Sequence, residues 1–303
     1  MDSRKNSWLE TPAQRRYWPG HRLVPLLDRL QFQLLPDIQE NERRRRAILD
    51  LEQLPYCLGA VTYSLLELVS TQNITVTLDL ANPGGQSGLH VLRPYERDRM
   101  AFLVDSVLES LRRAQNAVTP YLNRARRVSL GTSMRKAVEV LEKDSSLLAG
   151  PARDLVLEYW REHGLRLKRY RDLSQHHTIV SSDARTFVSG DGRPMIYLVL
   201  PNNPEEKRPS LLRYEEPFVH ALPYLYDEVL ALLRLVNLLC DHLIDKSLPS
   251  RASLGQALKG PIVLGQAPQG HPIITADMVI HNFKKRIRGL PDPIDLSIHP
   301  TRY

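Results

Sequence analysis

The sequence predicts a mainly α-helical fold, a helical bundle with one small β-hairpin inserted into it. Three observations carry this expectation. At least six segments place apolar residues at helical spacing. Two strand-like runs flank Asp191-Gly192, a dipeptide that suits a tight hairpin turn. The stretch from about 217 to 246 is apolar on nearly every side, as a helix through the centre of a bundle must be.

Taken in order, residues 22–35 place Leu23, Leu26, Leu27, Leu30 and Leu34 at helical spacing before Pro36 interrupts them. A second, polar helix runs through "ENERRRRAILDLEQ", and a third from about Tyr56 to Ser70 carries Leu58, Val61, Leu65 and Leu68. The stretch "NITVTLDLANPGGQSGLHVL" breaks this rhythm and predicts a short strand at 74–80 followed by an exposed loop. The longest helical pattern extends from Pro94 to about Arg124, with Pro120 bending its last turns. A short helix at 132–143 has Thr132 or Ser133 as its N-cap. The next begins at Pro151 and carries a stripe of Val156, Trp160, His163, Leu167 and Tyr170. Gly164 interrupts that stripe and weakens a helix by about 1 kcal/mol relative to Ala. The hairpin is expected at 178–200, and the last fifty residues, rich in Pro and Gly, suit an arm or tail. The expected organisation is an N-terminal helical region over 1–91, a bundle with its hairpin over 92–248, and the arm over 249–303. The sequence carries no internal repeat.

Composition narrows the function classes. Of 303 residues, 42% are apolar and 25% charged, the balance of an ordinary globular protein. The net charge of +7 permits an acidic partner without selecting one. Cys57 and Cys240 both fall inside apolar helical patterns, which fits a reducing compartment and excludes a disulfide scaffold or a Cys-rich zinc site. The polar N-terminal stretch lacks an apolar run of signal-peptide length. Asp227, Glu228, Arg234 and Asp241 make the most apolar stretch a buried helix rather than a membrane span. A cytoplasmic protein with no membrane partner is expected.

The chemistry of interest lies in "KRYRDLSQHHTIVSSD", residues 168–183. A histidine near its ordinary pKa can move a proton, and an arginine can hold a phosphate and stabilise charge developing on it. With the ribose 2′-hydroxyl of RNA as nucleophile, those two groups suffice without a metal. Five of the eleven residues from Arg161 to Arg171 are cationic against the single acidic Glu162, a surface that attracts a phosphate backbone. The segment "RDLSQH" resembles the Arg-polar-x-x-x-His signature, Arg-x(4–6)-His, of the HEPN superfamily (higher eukaryotes and prokaryotes nucleotide-binding domains) over about residues 92–248. The resemblance implies a helical bundle with the motif before its final helix. In catalytically active members it implies metal-independent RNA cleavage, with two motifs meeting across a dimer. Arg171 and His176 would then be catalytic with Asp172 beside the arginine, and Lys168, Arg169 and His177 would bind substrate. It implies RNA or a nucleotide as partner, a homodimer, and no cofactor or metal. Other members are inactive or serve as partner proteins.

Helical geometry sets a condition on that reading. Positions five apart on an unbroken helix point about 140° from each other. Arg171 and His176 therefore converge only if the helix ends near Ser174 or if a second subunit supplies one of them. The alternative assigns the same residues to structure. Histidines at a helix C-terminus interact favourably with its dipole, Arg171 and Asp172 form a surface ion pair, and the bundle serves dimerisation without catalysis.

The remaining candidates are weaker. His163 on the apolar stripe is expected to be a packed core histidine rather than a ligand. The spacing of His163, His176 and His177 is unlike the i, i+4 pairs that hold a metal on one helix face. "GGQSG" at 84–88 lacks the lysine of a phosphate loop, and the basic runs Arg43 to Arg46 and "KKRIR" at 284–288 suit solvated faces or accessory phosphate contacts.

Overall fold

A computed structural model of the chain describes residues 24–34, 42–75, 94–148, 150–176, 178, 180, 183–188 and 194–245. Helix dominates them. In chain order these are α1 (Pro25–Leu34), α2 (Glu42–Thr75), α3 (Pro94–Arg126), α4 (Met134–Lys143) and α5 (Pro151–Tyr159). A single π turn (Trp160–Gly164) joins α5 to α6 (Leu165–His176). Strands β1 (Asp183–Val188), β2 (Pro194–Leu200) and β3 (Val219–His220) follow, with a 3₁₀ turn at Pro209–Leu211, before α7 (Ala221–Leu243).

The apolar pattern and the core agree closely in α7. Leu225, Val229, Leu232, Val236 and Leu239 are all 3% exposed or less. This helix packs on α1, α2, α3, α5 and β2, so it has almost no face left for water. Its neighbours contribute Leu27 and Leu30 from α1, Leu58 and Leu65 from α2, Val104 and Leu111 from α3, and Val156 from α5 to the same core. Helices α1 and α2 thus share one core with the elements downstream.

Two expectations about the first half change. The second and third helices are one helix, α2, which passes through Pro55. Proline has no N–H, so the carbonyl of Leu51, four residues earlier, loses its helical donor. The Tyr121 hydroxyl on α3 donates to that carbonyl instead, which lets the chain continue as a helix. The expected strand at 74–80 is corrected at its start, where Ile74 and Thr75 complete the last turn of α2, while 76–80 lie outside the described residues. Packing of α2 along α3 outweighs the β preference of that β-branched pair.

The expected hairpin strands form, β1 and β2 pairing antiparallel with Arg185 opposite Tyr197, while Asp191 and Gly192 lie outside the described residues. A third strand extends the sheet, Val199 and Leu200 pairing antiparallel with His220 and Val219. The intervening connection is held by Asn203, whose side chain donates to Leu211 O at 3.1 Å and accepts from Arg213 N at 2.8 Å. Ser133 caps α4, accepting from Lys136 N at 3.4 Å. The "GGQSG" loop, the segment "KKRIR" and the C-terminal fifty residues lie outside the described residues. No helix among the described residues is long and apolar enough to cross a membrane.

Candidate functional site

Helix α6 is set in place by three side chains on one face, Leu167, Tyr170 and Leu173, which are 2% exposed or less. The Tyr170 hydroxyl donates to Pro201 O at 2.8 Å, and its ring meets Tyr224 edge to face at 5.1 Å. Those anchors turn the charged residues of the helix toward its margins. Arg171 points to α3, where its Nε donates to Glu109 Oε2 at 2.8 Å. Gln175, one turn on, donates to the same oxygen at 2.7 Å. Arg171 also reaches Asp172 Oδ1 at 3.4 Å, and Lys168 pairs with the other oxygen of Asp172 across one helical turn. Partial burial works against the charge of Asp172, yet Lys168 and Arg171 together hold its carboxyl below the ordinary value of 3.8. Arg169 lies 3.8 Å from Glu205 in a half-exposed pair.

The helix does not end near Ser174. It continues through His176, and Thr178 N closes it by donating to Leu173 O at 3.2 Å. Within one chain, therefore, His176 projects about 140° from Arg171 and away from the α3 face to which Arg171 is tied. Asp172 and Lys168 do stand beside Arg171, as an ion-paired cluster, whereas His177 lies outside the described residues.

A second polar cluster lies two turns earlier, at the π turn. There the N–H of Leu165 bonds back to Trp160 O, five residues away, which widens the helix by one residue. Gly164 allows this at close quarters. A Cβ at that position would meet the Gln115 amide and lie 2.8 Å from the Trp160 ring. Gln115 is fully buried and oriented by Arg112, whose guanidinium donates to its Oε1 and sits 5.8 Å above Trp160.

The widened turn carries His163 to α7. Its Nδ1 lies 3.3 Å from Glu228 Oε1, and its ring stacks on Tyr159 with centroids 5.9 Å apart. Glu228 is only 3% exposed. Burial pushes its carboxyl up from the ordinary 4.5, although His163 opposes the shift, while the bond to Glu228 raises His163 above 6.5. Both shifts favour keeping a proton on the pair. The Tyr224 hydroxyl is near enough to Glu228 to lower its carboxyl by hydrogen bonding, although Tyr224 Oη, Tyr159 Oη and Glu228 Oε2 make no hydrogen bond of ordinary geometry. Arg166 lies over the rings of Tyr170 and Tyr224, 5.6 Å from each centroid, and closes the cluster from the α6 side.

His163 is thus partly buried against a carboxyl group at the edge of the core, rather than the packed core histidine expected from its stripe. The signal was present in Glu228, a carboxylate inside a helix that is apolar on nearly every side, because a buried charge requires a partner. Among the described residues no group of three or more His, Cys, Asp or Glu stands together as a metal site. Cys57 and Cys240 are free and buried, and burial raises both thiols, so neither is a ready nucleophile. Compared with known proteins, the chain matches no family model, no curated protein and no solved structure.

Proposed function

We propose that this chain is a non-catalytic helical protein that acts through association, its bundle serving dimerisation. One observation carries the reading: the Arg171 guanidinium is tied to Glu109 and Asp172 on the α3 side of a helix that runs unbroken through His176. An arginine held in this way fastens α6 to α3. A phosphate would have to displace those carboxylates to reach it, with the histidine on another side of the helix.

A second reading has one observation in its favour. The Arg171 side chain keeps 24% of its exposure and His176 is exposed, so a neighbouring subunit has access to both. In that reading a HEPN-like site for RNA or a nucleotide is assembled from Arg171 of one subunit and His176 of the other, with Lys168 and Arg169 contacting phosphates. Incubating the full chain with labelled single-stranded RNA in EDTA decides between them. No cleavage is expected. Cleavage that persists in EDTA would install the second reading if Arg171→Ala and His176→Ala each abolish it and a 2′-deoxy substrate resists it, since the 2′-hydroxyl would be the nucleophile.

A further inference from the structure

One arrangement of residues occurs three times in this sequence: two cationic residues, any residue, a serine and a large apolar residue. It reads "RKNSW" at 4–8, "RRVSL" at 126–130 and "KRPSL" at 207–211. The first lies outside the described residues, and the fold treats the other two in opposite ways. At 126–130 the pattern is locked. Arg126 belongs to the last turn of α3 and donates to His242 O at 3.2 Å, and Leu130 is fully buried. The Asn123 side chain holds the loop there, accepting from Leu130 N at 2.8 Å and donating to Gly131 O at 2.9 Å. At 207–211 the pattern is on display. Lys207, Arg208, Pro209, Ser210 and Leu211 are all exposed, the Arg208 side chain by 72% and Leu211 by 44%.

We propose that Ser210 is a phosphorylation site for a basophilic serine/threonine protein kinase. Such an enzyme selects its substrate by charge, taking cations on the N-terminal side of the acceptor and an apolar residue just after it. The connection between β2 and β3 offers the segment in a form that a kinase cleft can take. Its base is pinned: Asn202 N donates to Arg213 O at 2.8 Å, and the Asn202 side chain accepts from Glu215 N at 3.1 Å. Its tip carries a single 3₁₀ turn with two backbone bonds, Leu211 N to Arg208 O at 3.0 Å and Leu212 N to Pro209 O at 3.3 Å. Pro209 keeps Arg208 extended (φ −89°, ψ 114°), and Leu212 on the far side is extended as well (φ −67°, ψ 135°). Opening that one turn lays the tip out without drawing any side chain from the core, whereas "RRVSL" would need the end of α3 unwound and Leu130 extracted. In the reaction the Ser210 hydroxyl oxygen bonds to the γ-phosphorus of ATP, and the bond from that phosphorus to the bridging oxygen breaks. ADP leaves, and the hydroxyl proton passes to the catalytic aspartate of the kinase. The new charge of about −2 stands two residues from Arg208, which Glu206 now holds at 3.1 and 3.3 Å, and competes with that carboxylate for the guanidinium. This proposal is independent of the association reading.

Incubating the full, folded chain with ATP, Mg²⁺ and the catalytic subunit of cyclic-AMP-dependent protein kinase tests it, with phosphate located by peptide mass spectrometry. Phosphate is expected on Ser210 and not on Ser129. Ser210→Ala should remove it, and Arg208→Ala should slow its incorporation by about tenfold through loss of one charge contact. Both side chains are exposed at the loop tip, so neither change should disturb the fold, and a thermal melt of each variant checks that. Denaturing the wild-type chain first should add Ser129, because its sequence pattern is intact and only the fold withholds it. A folded chain that takes no phosphate on Ser210, including one labelled only at Ser7 or Ser129, would overturn the proposal. Equal labelling of Ser129 and Ser210 in the folded chain would overturn it too, since the fold would then make no choice between the two patterns.

Discussion

At the exposed end of the long interrupted helix, Arg171, Asp172 and Lys168 form ion pairs at the surface and bond to α3 through Glu109. Two turns back, His163 and Glu228 form a pair that is mostly out of water and joins the π turn to α7. The first region has the higher density of charge and drew attention in the sequence. The second has fewer charges, but its carboxylate is almost wholly out of water, and burial pushes Glu228 up against the opposing pull of His163, Tyr224 and Arg166, whereas solvent screens the ends of Lys168 and Arg171. Charge density in a sequence therefore marks surface, while one carboxylate in an apolar helix marks a place where the fold must supply chemistry.

The largest expected effect tests the wall behind the buried pair. Leu232 is fully buried on α7, one turn past Glu228, and Leu232→Ala should cost about 2–5 kcal/mol in chemical denaturation. A loss under about 1 kcal/mol would place α7 at the surface and remove the reason for the Glu228 shift.

Gly164→Ala comes next. Helix propensity alone favours Ala by about 1 kcal/mol. The added Cβ, however, meets the Gln115 amide and the Trp160 ring, so a net destabilisation of about 1–3 kcal/mol is expected. A stabilised variant would mean that the close approach of α3 to the π turn relaxes freely.

The pH dependence of stability sharpens the contrast between the two regions. Both His163 and Glu228 have folded-state values above their ordinary 6.5 and 4.5. The folded state thus binds protons more tightly, and the stability this contributes is complete below the unfolded values and lost as pH rises through the folded ones. Thermal melts should show wild type losing stability between about pH 6.5 and the raised His163 value. Glu228→Gln should flatten that slope by removing the carboxylate that raises His163. An identical slope in both proteins would assign the dependence to other groups. Asp172 shifts the other way, so its contribution is present above 3.8 and is lost only as pH falls through its lowered value.

These contrasts also show where the sequence was readable. The five α7 positions and the two paired hairpin strands were legible because burial and strand pairing impose a local period on the residues. The run of α2 through Pro55 was not, since the donor that replaces the missing N–H belongs to Tyr121, far along the chain. Strand β3, two residues long, is too short for any alternation to register. The π turn leaves the apolar stripe almost unbroken, and Gly164 looked like a weakness because its neighbour Gln115 comes from α3. The fate of Arg171 was hidden for the same reason: the sequence displays Asp172 beside it, but not Glu109, 62 positions away.

The central claim, that Arg171 fastens α6 to α3, is tested most directly by a double-mutant cycle between Arg171 and Glu109, read by chemical denaturation. Arg171→Ala, Glu109→Ala and the double variant should give a favourable coupling of about 0.2–1 kcal/mol, the range for partly exposed ion pairs. A coupling indistinguishable from zero, together with loss of an RNA-directed activity in Arg171→Ala, would contradict the claim and make Arg171 a functional group instead.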